Sequence, residues 1–97
     1  MDTIEDITLG RQDYRFGDEK IPTFAMEAWT SEGDTVWIGQ NEEDLSKVEY
    51  VLASAAEGDI YYNTSLTLVI RELTKWFEVP RNLLEEIADY AEEFIYL

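Results

Sequence analysis

Two kinds of hydrophobic spacing divide the chain. Between Gln12 and Gly39 apolar residues alternate: Tyr14 with Phe16, then Phe24, Met26 and Ala28, then Val36 and Ile38. A period of two places each set on one face of an extended segment and predicts strands over 12–16, 23–29 and 35–39. Gly17-Asp18-Glu19-Lys20 and Thr30-Ser31-Glu32-Gly33-Asp34 are turn sequences between them, and Pro22 marks the start of the second strand. With Trp29 opposite Thr35, Ala28 meets Val36 and Met26 meets Ile38. The same register sets Trp29 and Trp37 diagonally on the other face, within aromatic reach of each other. That face is expected to pack under a helix, with an exposed partner anchor as the other option.

Beyond residue 40 the spacing becomes helical. Asn41 is a good N-cap, Glu42, Glu43 and Asp44 follow where the helix dipole favours anions, and Leu45, Val48, Val51, Leu52 and Ala55 recur on one side up to Gly58. Ile60-Tyr61-Tyr62 reads as a short extended piece. Asn63 or Thr64 then caps a helix bearing Leu66, Val69, Ile70, Leu73, Trp76 and Phe77, which Pro80 stops. A last helix is predicted from Arg81 to Tyr96, with Leu83, Leu84, Ile87, Ala91, Phe94 and Ile95 inward. The expected architecture is a single α+β domain over 1–97: a small three-stranded antiparallel sheet followed by about three helices.

Composition narrows the function. The chain has 97 residues, 22 Asp plus Glu against 7 Lys plus Arg, a formal net charge of -15, and neither His nor Cys. The missing Cys removes disulfides, zinc knuckles and thiol nucleophiles; the missing His removes the commonest general base and transition-metal ligand. Aromatics at 13% set it apart from disordered acidic chains. Direct nucleic-acid binding is not expected, because phosphates need Lys and Arg to neutralise them. Nor is membrane attachment, since no apolar run approaches about 20 residues. Met1 to Asp6 lacks a basic leader, so a cytoplasmic location is the expectation.

The charge is concentrated. Glu85, Glu86, Asp89, Glu92 and Glu93 share one face of the last predicted helix, and residues 82–97 contain no base. At about 1.5 Å per residue, Glu85, Asp89 and Glu93 stand about 6 Å apart along the axis. One DNA strand carries a phosphate about every 3.4 Å, so the ladder matches alternate phosphates. The helix pair over 68–94 has the outline of a helix-turn-helix, but its second helix would be repelled from a major groove. No calcium loop, phosphate loop or dinucleotide fingerprint is present, and nothing singles out a carboxylate pair for catalysis. No cofactor, metal site or enzymatic activity is expected.

In size, charge and the acidic helix Glu85-Glu86-Asp89-Glu92-Glu93, the chain resembles phage-encoded anti-CRISPR proteins of the DNA-mimic kind, most of all the type I-F inhibitors. The resemblance rests on no shared motif. It implies an inhibitor in a bacterial host's cytoplasm. Its partner would be the basic DNA-binding groove of a multi-subunit CRISPR surveillance complex, and it would block target-DNA recognition by occupying that groove. The partner-binding candidates are Glu85, Glu86, Asp89, Glu92 and Glu93, with Glu42, Glu43 and Asp44 as a second cluster. Anti-restriction DNA mimics and antitoxins that cover a basic protein share the same physical profile.

Overall fold

The computed structural model describes residues 1–16, 19–40 and 49–95. Five strands form one antiparallel sheet in chain order: β1 (Ile4–Phe16), β2 (Glu19–Thr30), β3 (Thr35–Gln40), β4 (Tyr50–Ser54) and β5 (Ile60–Asn63). Two helices follow, α1 (Leu66–Trp76) and α2 (Arg81–Ile95). The three-stranded sheet with about three helices is therefore corrected to a five-stranded meander with two helices among the described residues.

The β2–β3 register is the one expected: Met26 pairs with Ile38, Ala28 with Val36 and Trp29 with Thr35. The error lies on either side of that hairpin. The stretch assigned to a helix ending at Gly58 contains β4, where Tyr50, Leu52 and Ser54 are buried and Val51 and Ala53 are less so. Val51, Leu52 and Ala55 fit a helical stripe as well as a strand; pairing of Val51 with Gly39 and Leu52 with Ile38 decides for the strand. Asn41, Leu45 and Val48 of the same proposed helix lie outside the described residues. Strand β1 begins eight residues before the alternation that announced it. A bulge between Ile4 and Asp6 sets Ile4 opposite Thr30 and Ile7 opposite Ala28, so both face inward at an odd spacing. At about 3.3 Å per residue a 13-residue strand reaches about 40 Å, which accounts for the 42 Å long axis.

The inward face of the sheet supplies Ile4, Phe24, Met26, Ala28, Val36, Ile38, Tyr50 and Leu52 to the core. Both helices lie on that face. α1 buries Leu66, Val69 and Leu73, and α2 buries Ile87 and Ala91. The α1 cap is Ser65, two residues beyond Asn63: its side chain accepts the Leu68 N–H, while Asn63 Oδ1 accepts the Ser65 N–H at 2.8 Å. Phe77 closes α1, and Pro80 accepts the Leu84 N–H into the first turn of α2. Phe24, Tyr90 and Phe94 form an aromatic triangle with centroids 5.5 to 6.0 Å apart, which fastens the second half of α2 over β2. Gly33 and Gly58 hold φ of +86° and +71° in the β2–β3 and β4–β5 turns, a backbone region that favours glycine.

Neither helix reaches the opposite face of the sheet. Trp29 and Trp37 share that face, as the register requires, but they stay 37% and 41% exposed, beside Ile60 and Tyr62. The expectation that a helix covers them is corrected. No helix among the described residues is long and apolar enough to cross a membrane.

Candidate functional site

α2 places its acids as the helical period requires. Successive residues turn by about 100°. Leu83, Leu84, Ile87, Tyr90, Ala91 and Phe94 therefore fall on one arc, and Glu85, Glu86, Asp89, Glu92 and Glu93 on the other. The first set is buried or half-buried against the sheet, and all five acids are exposed. Arg81 Nε stands 3.2 Å from Glu85 Oε1, an exposed pair of small energetic weight. The other four acids have no ion pair among the described residues. Glu42, Glu43 and Asp44 lie outside the described residues.

The electrostatics of α2 run against its own stability. Its first turn holds no acid and its last turn no base, whereas the macrodipole favours the reverse arrangement. Glu92 and Glu93 sit at the end where anions are least favoured. Asp89 has Glu85, Glu86, Glu92 and Glu93 at i−4, i−3, i+3 and i+4, and each like-charge pair costs a few tenths of a kcal/mol.

On its β1 side the acidic face borders a groove. Ile7, Leu9 and Tyr90 with Glu86, Asp89 and Glu93 line it, a shallow depression of about 530 Å³ open to solvent. Ile7 and Leu9 are half-buried because β1 is an edge strand and α2 covers only one side of them. The sequence reading overlooked both residues although they alternate across Thr8; the bulge breaks only their link to Ile4.

A second concentration of acids lies at the end of the sheet where the chain turns. Asp2, Glu32, Asp34, Glu57 and Asp59 line a cleft of about 520 Å³ together with Trp76 and Phe77. Two of these carboxylates are engaged in holding the fold. Asp34 is buried; its Oδ2 accepts the Ser54 hydroxyl at 2.6 Å and its Oδ1 the Ala56 N–H at 2.8 Å, which ties the β2–β3 turn to the end of β4. Asp2 Oδ1 accepts the Ser31 hydroxyl at 2.6 Å and the Thr3 and Glu32 N–H groups at 2.8 and 3.2 Å. Desolvation pushes the Asp2 carboxyl up, but the hydrogen bonds from Ser31, Thr30, Thr3 and Glu32 together outweigh it and hold the pKa below its usual value. No group of three or more acids among the described residues is placed to hold a metal ion.

No protein-family model, curated protein or solved structure matches this chain.

Proposed function

We propose that the protein is a binding inhibitor whose α2 face occupies a basic, DNA-binding groove on another protein, as a rigid stand-in for the DNA backbone. The first target to test is the surveillance complex of a type I-F CRISPR system. The observation that carries the reading is the α2 face itself: five exposed carboxylates in regular array, four without an ion pair among the described residues, kept where repulsion and the helix dipole both work against folding. Groove residues that hold the DNA backbone read charge and shape rather than base edges, so a carboxylate ladder satisfies them. Arg binds carboxylates in a bidentate manner, and a folded scaffold loses less entropy on docking than a flexible strand. The action is occlusion, with no chemical step.

The test is competition on the purified complex. Wild-type protein should displace labelled duplex DNA, and less well as salt rises. The triple change Glu85→Lys, Asp89→Lys and Glu93→Lys should abolish displacement while the protein still melts cooperatively. A folded triple variant that competes as well as the wild type would remove α2 from the interface.

A second reading, an antitoxin-like module that covers a basic protein, draws on the exposed Trp29 and Trp37. A backbone mimic has no need of them, whereas protein interfaces concentrate binding energy in buried Trp and Tyr. A partner that duplex DNA cannot displace would favour it.

A further inference from the structure

We infer that the groove between β1 and α2 is a docking slot for an extended partner segment carrying Lys or Arg at alternate positions. The inference rests on the reading of α2 as a partner-binding face, and it names the partner chemistry that part of that face selects.

Three observations converge on the slot. The first is the pairing of an apolar floor with a charged rim. Ile7, Leu9 and Tyr90 lie open beneath Glu86, Asp89 and Glu93. A long basic side chain matches both parts: its aliphatic stem covers apolar surface while its cationic tip reaches the carboxylates. Tyr90, held in place by Phe24 and Phe94, adds an aromatic ring to the same floor.

The second is the sheet edge. β1 is the first strand in the sheet order; among the described residues no strand pairs with its outer side beyond the isolated bridge from Thr3 to Glu78, and the Ile7 N–H donates to Asp6 Oδ1 at 2.9 Å. Past that bridge an extended segment can add beside β1 through its backbone, sending every second side chain toward α2. Those side chains recur about every 6.6 Å. Asp89 and Glu93 are about 6 Å apart along the helix. The two spacings are close.

The third is the absence of a competitor on the rim. Glu86, Asp89 and Glu93 have no ion pair among the described residues, so a cation arriving there displaces none. Glu85 and Glu92 stand on the far flank of α2 and do not line the groove. The slot therefore divides the five acids into two functional sets, which a uniform ladder does not.

The experiment uses fluorescence anisotropy with two labelled peptides of about six residues, a common strand length. One alternates Lys with Thr; the other replaces each Lys by diaminobutyrate, which keeps the ammonium on a stem two carbons shorter. The Lys peptide should bind about tenfold more tightly, and Leu9→Gln should erase that preference, because the stem loses its apolar bed. Glu86→Gln with Glu93→Gln should weaken the Lys peptide about tenfold, whereas Glu85→Gln with Glu92→Gln, the same loss of charge, should change it less than about twofold. Gln is as good a helix former as Glu, so both pairs keep α2. Equal binding of the two peptides, or equal weakening by the two Gln pairs, would overturn the slot. So would a concentration-dependent dimer abolished by Leu9→Gln, which would assign the groove to a second copy of the chain. If the two peptides bind equally while the wild-type protein displaces duplex DNA from the surveillance complex, the slot falls and the ladder stands. If the Lys peptide binds as described while the protein displaces no DNA, the slot stands and that target falls.

Discussion

Asp89→Asn isolates the electrostatic burden of the α2 face in a single atom-for-atom change. Asp and Asn have nearly the same shape and similar helix propensity, so the charge is what differs. Asp89 faces four acids, at i−4, i−3, i+3 and i+4, and is fully on the solvent side. Like-charge pairs at these spacings destabilise by about 0.2–0.5 kcal/mol each, which for four pairs is about 0.8–2 kcal/mol. Arg81 sits 3.2 Å from Glu85 and offsets part of one pair, so the lower half of that range applies, about 1 kcal/mol. For a domain of this size that is a rise in Tm of about 4–8 °C. The assay is thermal unfolding by circular dichroism at low salt and again in 1 M salt. Screening shortens the Debye length to about 3 Å at 1 M, inside the roughly 6 Å separation of the acids, so the gain should largely disappear there. The same substitution should weaken binding to the proposed basic target. A variant no more stable than the wild type, or one whose gain persists undiminished in 1 M salt, would refute the claim that α2 keeps its acids against its own stability.

Three further outcomes are expected. Asp34→Ala should cost about 2–4 kcal/mol in a denaturant titration, because the buried Ser54 hydroxyl and the Ala56 N–H lose their shared acceptor. The hydrogen bonds to Asp2 hold its folded pKa below the usual 3.8, so their contribution is present above that value and is lost as pH falls through the folded pKa; Asp2→Asn should melt below the wild type at neutral pH and converge with it in acid. Trp37→Thr should change stability by under about 1 kcal/mol, since the side chain is half in water, whereas Phe24→Ala, which opens the aromatic triangle in the core, should cost about 3–5 kcal/mol; comparable losses at both sites in chemical denaturation would mean that the outer sheet face is covered.

The legible parts of this chain are those where a local period and its partner's period agree. Phe24, Met26 and Ala28 face Val36 and Ile38 across a short turn containing Gly33, so alternation and turn chemistry together set the β2–β3 register. The two helices were legible for a similar reason: Leu66 to Phe77 and Leu83 to Phe94 carry unbroken apolar stripes, and Pro80 divides them. The acidic face of α2 follows from the same period, because a helix that buries Ile87 and Ala91 has to turn Glu85, Asp89 and Glu92 outward.

Tertiary structure decided the rest, where a local pattern admitted two answers or none. Val51, Leu52 and Ala55 satisfy a helix and a strand alike, and only hydrogen bonding to β3 on one side and β5 on the other makes β4 a strand. Ile4 and Ile7 cannot be read as one face of a strand until the bulge between Ile4 and Asp6 is known, and a bulge is a property of the pairing with β2. The exposure of Trp29 and Trp37 depends on which face of the sheet the helices choose; alternation separates two faces but does not say which will be covered. The groove is likewise a tertiary product: Ile7 and Glu86 are far apart in the chain and meet because the Phe24–Tyr90–Phe94 triangle fastens α2 over β2, next to the edge strand β1.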